Sequence, residues 1–202
     1  MPEYGSYRII GQTLDDAAGE AFDKAAKLLG LGYPGGPVMD RESRKYEGSD
    51  FIRFPKGRPR PGTAALAGLD AELCTSFSGL KTALLNYVKS VRGEDGSIPE
   101  IPRICASYQR AIVESIADRT ATALKRRRYR TLIVGGGVSL NGALREALAK
   151  VAKKAMVELL LAKPKYCGDN AAMIAGLAYY RQNVAGGDAL AVDVSPSLEA
   201  GD

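Results

Sequence analysis

The 202-residue sequence contains no histidine. Histidine is the usual general base near pH 7 and a frequent metal ligand, so its absence excludes several kinds of site from this chain. It excludes Ser-His-Asp and Cys-His nucleophiles, and it excludes any metal site with a histidine ligand of its own. A metal ion bound here would need oxygen or thiolate ligands, or ligands supplied from elsewhere.

Cysteines and long apolar runs are also scarce. The three cysteines, Cys74, Cys105 and Cys167, are far apart and form no C-x-x-C pair, so neither a disulfide framework nor a zinc ribbon is expected. The N-terminal sequence MPEYGSYRIIG lacks the basic and then apolar order of a secretion signal, and no run approaches the ~18 apolar residues of a membrane span. We therefore expect a cytoplasmic protein with no membrane segment.

Positive charge is in moderate excess. Lys and Arg number 28 and Asp and Glu number 23, which gives a net charge of +5 that suits a polyanionic partner such as nucleic acid. Short β-like runs, glycine turns and helical patterns alternate along the chain, and this alternation predicts an α/β fold.

The patterns divide the chain into four parts. The first part, 1–47, contains a strand at 7–10, a helix from Thr13 to Leu29 and the turn YPGGP. The second part, 48–130, is a polar loop followed by a helical insert. The third part, 131–183, is a strand-helix-strand unit, and the fourth, 184–202, is an irregular tail. Within these parts the apolar spacing predicts helices at 38–46, 76–91, 103–128, 139–154 and 169–180, and strands at 131–134 and 157–161.

Three glycines, Gly135, Gly136 and Gly137, separate the strand at 131–134 from a helix predicted to begin at Ser139. Glycines let a ligand approach the backbone, and the free N–H groups of a helix N-terminus favour a phosphate. A turn packed without a ligand is the alternative, since glycine-rich turns often join strands to helices. Asn141 either contacts a nucleotide or ends the loop.

Carboxylates at helical spacing mark the first helix. Asp16, Glu20 and Asp23 lie on one face, opposite the apolar positions. They form either a solvated face, held by Glu20–Lys24 and Asp23–Lys27 ion pairs, or one side of a ligand site.

Two further features each allow two interpretations. Asp169 precedes an alanine-rich helix, where it would cap the helix N-terminus or bind a cation. The basic run from Lys125 to Arg130 lies at the end of a long helix. It either complements the helix dipole or contacts phosphates.

Four blocks of the sequence together resemble one protein family. They are GQTLDDAAGEAFDKAAKLLGLGYPGGP (11–37), SFSGLKTALL (76–85), LIVGGGVSLNGALRE (132–146) and CGDNAAMIAGLA (167–178). Four blocks in the right order are far more specific than any single motif. The sequence is similar to the tRNA N6-adenosine threonylcarbamoyltransferases, once described as O-sialoglycoprotein endopeptidases. This resemblance implies the C-terminal lobe of the actin, Hsp70 and sugar-kinase ATPase fold, with a helical layer or insert.

The resemblance also implies a reaction and its site. Members of the family move a threonylcarbamoyl group from threonylcarbamoyl-AMP to N6 of adenosine 37 in tRNAs that read ANN codons. The positions that match the family's site are Asp23, Gly36, Asp40 and Asn141 for the adenylate, beside the nucleotide loop Gly135–Gly137, and Asp169 for a metal ion. The implied cofactor is one divalent ion, iron or zinc. The implied partners are tRNA, a paralogous actin-fold subunit and a P-loop ATPase.

The chain departs from the family in two respects. Cys74 and Thr75 stand where the family usually has Asp-Phe before the SFSGLKT block. The resemblance covers only the C-terminal part of the family, whose preceding half carries a His-x-x-x-His metal pair. We therefore expect the N-terminal lobe to lie outside this sequence and the chain by itself to be inactive, because Asp169 alone would hold a metal weakly. The alternatives are a non-catalytic module that binds nucleotide or tRNA or docks on another subunit, and a fragment of a sugar- or acetate-kinase-like ATPase.

Overall fold

The computed structural model describes residues 7–62 and 68–181. Its elements, in chain order, are α1 (Ala18–Leu28), α2 (Gly35–Ser43), α3 (Ser78–Val91), α4 (Ile101–Arg126), β1 (Thr131–Val134), α5 (Gly142–Ala155), β2 (Glu158–Leu161) and α6 (Ala171–Arg181). This helix-rich arrangement with a small parallel sheet agrees with the predicted α/β class. The actin-like lobe and the four-part division remain predictions, and the tail at 184–202 lies outside the described residues.

The predicted strand at 7–10 is not formed. A strand needs neighbouring backbone with which to pair, and within the described residues this end of the chain makes only one isolated bridge, between Thr13 and Thr75. The N–H of Leu14 donates to the carbonyl of Thr75, and the N–H of Thr75 donates to the carbonyl of Gln12, both at 2.9 Å. The bridge ties the first segment of the chain to the segment that precedes α3.

The helix α1 begins later than the sequence predicts. Thr13 does not cap it, because the Thr13 hydroxyl donates to the backbone oxygen of Asp16 at 2.8 Å in a local turn. From Ala18 onwards the predicted apolar face is confirmed, with Ala21 and Phe22 buried. The small alanines on this face let the neighbouring helices approach closely.

The N-terminus of α3 is capped by a carboxylate from a distant segment. Asp15 accepts hydrogen bonds from the N–H groups of Phe77 at 2.7 Å and Ser78 at 3.3 Å, and from the hydroxyl of Ser76. Partial burial tends to raise the pKa of Asp15, but these hydrogen bonds outweigh it and hold the pKa below its ordinary value. Asp15 therefore contributes most to stability when it is ionised.

The helix α4 forms the centre of the core. Ile104, Tyr108 and Ile112 recur every fourth residue, as predicted, and their side chains are fully buried among those of α1, α2 and α3. The Tyr108 hydroxyl donates to the backbone oxygen of Ala21 at 3.3 Å, which joins α4 to α1. Burial also raises the pKa of the Cys105 thiol to about 12.

The strands β1 and β2 are parallel neighbours joined by α5, which confirms the predicted strand-helix-strand unit. The register pairs Thr131 with Glu158 and Val134 with Leu161. Val134 packs with Leu144 of α5 in a second, smaller core. No helix within the described ranges is both long enough and apolar enough to cross a membrane.

Candidate ligand-binding cleft

A cleft of about 440 Å³ lies between α1, the start of α2 and the turn that follows β1. This volume falls within the roughly 300–1,000 Å³ usual for small-molecule sites. The lining residues are Gly19, Phe22, Asp23, Pro34, Gly36, Pro37, Asp40, Gly137, Val138, Leu140 and Asn141. The cleft thus brings together Asp23, Gly36, Asp40 and Asn141, which the sequence resemblance assigns to the adenylate.

The first wall of the cleft depends on a close approach of α1 and α2. The helix α2 begins at Gly35, three residues earlier than predicted, and the Gly35 N–H donates to Oδ1 of Asp23 at 2.7 Å. A β-carbon at Gly35 would lie 2.5 Å from the α-carbon of Asp23 and 2.6 Å from the carbonyl oxygen of Phe22. Only glycine fits between the two backbones.

Of the charged groups on α1, some form ion pairs at the surface and one, Asp23, belongs to this wall. Lys24 pairs with Asp16 and, at 3.3 Å, with Glu20, so the predicted Glu20–Lys24 pair is present. Within the described part of the chain, the predicted Asp23–Lys27 pair is not formed. Asp23 accepts its hydrogen bond from Gly35 instead, because the backbone of α2 packs directly against α1 at this position.

The second wall is the turn after β1, and it differs from the prediction. Gly136 has φ 85° and ψ 163°, a conformation that favours glycine. The three glycines lead into a 3-10 helix, Gly137–Leu140, and not directly into α5, which begins at Gly142 instead of Ser139. Gly137 lines the cleft, whereas Gly135 and Gly136 are not among its lining residues.

An arginine that sequence reasoning missed fixes this turn. Nε of Arg145 donates to the backbone oxygen of Ser139 at 2.5 Å, and Nη2 donates to that of Ala162 at 3.1 Å, just beyond β2. The Ser139 hydroxyl lies 3.4 Å from Sγ of Cys167, and both residues are buried. These contacts hold the 3-10 helix against the end of the sheet.

Asn141 ends the turn and caps α5. Its Oδ1 accepts from the N–H of Leu144 at 3.0 Å. Its Nδ2 donates to Oε1 of Gln109 at 2.7 Å and lies 3.4 Å from Oδ1 of Asp40. The side chain of Asn141 is therefore held by protein groups on both its oxygen and its nitrogen.

Two buried polar residues extend this network beyond the cleft. Nε2 of Gln109 donates to the hydroxyl of Ser43 at 2.9 Å, and Ser43 donates to the backbone oxygen of Asp40 at 2.8 Å. Asp40 also forms an ion pair with Arg44 at 2.5 Å. Gln109 was missed from sequence, although a glutamine spaced with Cys105 and Ile112 along the buried face of a helix is itself a signal of a buried hydrogen-bond network.

Comparison with known proteins gives a consistent result. The model of the family "TsaD: tRNA N6-adenosine threonylcarbamoyltransferase" matches residues 1–176. This chain belongs to the tRNA N6-adenosine threonylcarbamoyltransferase family.

Several curated relatives carry the same name. The chain is 38% identical over 202 residues to the tRNA N6-adenosine threonylcarbamoyltransferase of Clostridium perfringens, covering 100% of this chain and 56% of that protein. It is 46% identical over 189 residues to that of Anaeromyxobacter sp., covering 92% of this chain and 53% of the relative. It is 40% identical over 202 residues to that of Dictyoglomus turgidum, covering 100% and 57%. The chain therefore spans about half the length of these relatives.

The predicted metal ligand, Asp169, is not among the residues that line the cleft. Asp169 is exposed, and the helix after it is capped by Asn170, whose Oδ1 accepts from the N–H of Met173 at 3.0 Å. Residues 7–62 and 68–181 contain no group of three His, Cys, Asp or Glu side chains that could hold a metal ion. The role of Asp169 as a metal ligand stays a prediction.

In the basic run at the end of α4, one arginine forms ion pairs with the protein and others are exposed to solvent. Arg126 forms ion pairs with Asp70 and Glu72, which join α4 to the segment before α3. Arg127 and Arg128 are exposed, and neither forms an ion pair within the part of the chain that the structure describes. Arg130 is also exposed and forms no ion pair among the described residues, so Arg127, Arg128 and Arg130 are the arginines of the run best placed for a phosphate partner.

Proposed function

We propose that this chain forms the adenylate-binding wall of a tRNA N6-adenosine threonylcarbamoyltransferase. That enzyme would transfer the threonylcarbamoyl group of threonylcarbamoyl-AMP to N6 of adenosine 37 in tRNA. The observation that carries the proposal is the meeting of Asp23, Gly36, Asp40 and Asn141 in one cleft, although they come from separate segments of the chain. The family to which the chain belongs supports the same substrate.

The chemistry of the cleft suits an adenylate. Asp23 uses Oδ1 to hold the N–H of Gly35, and Oδ2 remains to accept a hydrogen bond from a ribose hydroxyl. Gly36 carries no side chain, so a ligand can lie directly on the first turn of α2. Val138 and Leu140 supply an apolar surface for the adenine ring.

The part that we assign to this chain is binding and orientation. In the transfer, N6 of the tRNA adenosine forms a bond to the carbamoyl carbon and loses a proton, while the bond from that carbon to the AMP phosphate oxygen breaks. Holding the adenylate in one position raises the rate of such a step by fixing the distance and direction of attack. The metal ion, the paralogous subunit, the P-loop ATPase and the cytoplasmic location remain expectations from the resemblance.

One substitution tests the proposed contact with ribose. Asp23→Asn keeps an oxygen for the N–H of Gly35 but loses the charged acceptor, so AMP affinity in calorimetry should fall about tenfold or more. Glu20→Gln is the matched control, because Glu20 lies one turn earlier on α1, is exposed, pairs with Lys24 and is not among the lining residues. An unchanged AMP affinity in Asp23→Asn, or an equal loss in Glu20→Gln, would contradict the assignment.

A non-catalytic binding module is the second candidate. It is favoured by one observation, that the four residues assigned to the adenylate meet in one cleft whereas Asp169, the predicted metal ligand, is not among its lining residues. Incubation of the chain, together with the N-terminal half of a full-length relative, with threonylcarbamoyl-AMP, tRNA and Fe²⁺ or Zn²⁺ separates the two candidates. Modified adenosine in the tRNA would identify a transferase, whereas adenylate binding without modification would identify the module.

A further inference from the structure

We propose that Gln109 is a positioning residue for the cleft, which fixes the orientation of the Asn141 amide and of the first turns of α2. This inference deepens and rests on the proposed adenylate site. Gln109 is a polar residue on α4 that is only 7% exposed, and it is not among the residues that line the cleft. It would act on a ligand only through the residues that it holds.

In each hydrogen bond around Gln109, the chemistry fixes which atom donates and which atom accepts. The backbone N–H of Leu144 can only donate, so the atom of Asn141 that faces it must be Oδ1. Nδ2 of Asn141 therefore faces Gln109, and the facing atom of Gln109 must be the acceptor Oε1. Each amide orientation thus follows from the one before it, beginning at the N-terminus of α5.

The same order of donors and acceptors extends from Gln109 to α2. With Oε1 engaged by Asn141, Gln109 presents Nε2 to the Ser43 hydroxyl at 2.9 Å. Ser43 accepts that bond and donates its own hydrogen to the backbone oxygen of Asp40 at 2.8 Å. One buried glutamine therefore connects both walls of the cleft, and no other side-chain type of this length both donates and accepts in this way without a charge.

The distances indicate which contact holds Asn141. Its Nδ2 is 2.7 Å from Gln109 but 3.4 Å from Asp40, which is a long separation for an N–H···O bond. Without Gln109, the Asn141 amide would keep only its contact with Leu144 and the weak contact with Asp40. Its nitrogen would turn toward the Asp40 carboxylate and change the polar surface of the cleft.

The first test uses the ligand-free chain and the side-chain NH2 signals of Asn141 in ¹H–¹⁵N NMR spectra. Gln109→Met keeps the length and removes both hydrogen bonds, so these signals should shift. Ser107→Ala is the matched control, since Ser107 is also buried on α4 but accepts from the N–H of Ile52 at 2.9 Å, away from Asn141. It should leave the Asn141 side-chain signals in place. Unchanged Asn141 signals in Gln109→Met would overturn the proposal.

The second test is a double-mutant cycle with AMP as the probe. Gln109→Met should weaken AMP binding about 2- to 10-fold, as expected for one misplaced hydrogen-bonding group. Asn141→Ser can still cap α5 but cannot reach Gln109, so in that background Gln109→Met should cost less AMP affinity, because only the contact of Gln109 with Ser43 is then lost. A merely structural role would give the same loss in both backgrounds, and this result, or no loss in either, would overturn the proposal. Failure of the unaltered chain to bind AMP would instead overturn the adenylate site itself.

Discussion

Two adjacent glycines at the start of α2 should respond to the same substitution in opposite ways. In Gly35→Ala the new methyl would lie 2.5 Å from the α-carbon of Asp23, where ordinary contact begins at 3.4 Å. The two helices must separate by about 0.9 Å to relieve it, and the neighbouring atoms are backbone that cannot rotate away. Overpacking of this kind costs about 1–3 kcal/mol, so the free energy of unfolding should fall by that amount.

Gly36→Ala is the internal control for this prediction. A β-carbon at Gly36 meets nothing within 4 Å, and alanine is preferred to glycine within a helix. The free energy of unfolding should stay the same or rise by up to about 1 kcal/mol. Because Gly36 lines the cleft, its methyl would occupy ligand space, and AMP affinity should fall at least about threefold.

Urea denaturation followed by circular dichroism, together with calorimetric titration of AMP, measures both effects. We expect Gly35→Ala to be less stable than Gly36→Ala by about 2 kcal/mol. Equal stabilities, or a larger loss in Gly36→Ala, would refute the argument that the α1–α2 contact requires glycine at position 35.

Three further predictions concern other parts of the chain. Asp15→Ala should reduce the free energy of unfolding by about 1 kcal/mol near pH 7, because α3 loses its cap. Because folding lowers the pKa of Asp15, its contribution to the free energy of unfolding is complete above the ordinary pKa of 3.8 and is lost as the pH falls through the lowered pKa. The urea denaturation midpoints of the unaltered chain and of Asp15→Ala should therefore converge between pH 5 and pH 2. The double variant Arg127→Gln, Arg128→Gln should bind tRNA more weakly, and the slope of log affinity against log salt should fall by about one unit for each phosphate that is no longer neutralised. Arg126→Gln should mainly lower stability, because Arg126 pairs with Asp70 and Glu72. Equal tRNA affinity in all variants would assign the run to helix stability alone. Cys74, Cys105 and Cys167 are buried, so a maleimide should label none of them in the native chain and all three in urea, and rapid native labelling would contradict the core packing.

Features with a regular period were predictable from the sequence. The recurrence of Ile104, Tyr108 and Ile112 predicted α4 and its buried face, and the apolar runs around Gly135–Gly137 predicted β1, α5 and β2. The apolar spacing and the apolar runs both show which residues of an element are buried, and this pattern is the main indication of secondary structure in a sequence. The four blocks of resemblance assigned Asp23 and Asn141 to the adenylate. The two residues line one cleft, and their role in binding stays a prediction.

Features set by contacts between distant segments were not predictable in this way. Residues 7–10 have the composition of a strand but no described partner strand, and Thr13 has the spacing of a cap but bonds within its own turn. The cap of α3 comes from Asp15, and the partner of Asn141 is Gln109 on a different helix. Such pairings depend on the three-dimensional arrangement, which no local pattern encodes.

The most direct test of the adenylate cleft is a ¹H–¹⁵N NMR titration of the chain with AMP. We predict that the backbone signals that shift most will be those of Asp23, Gly36, Asp40 and the turn from Gly137 to Asn141. Signals in the groove between the polar loop and α4, at Phe51 and Arg110, should not move and serve as an internal reference. Shifts centred on that groove, or spread evenly over the chain, would contradict the account.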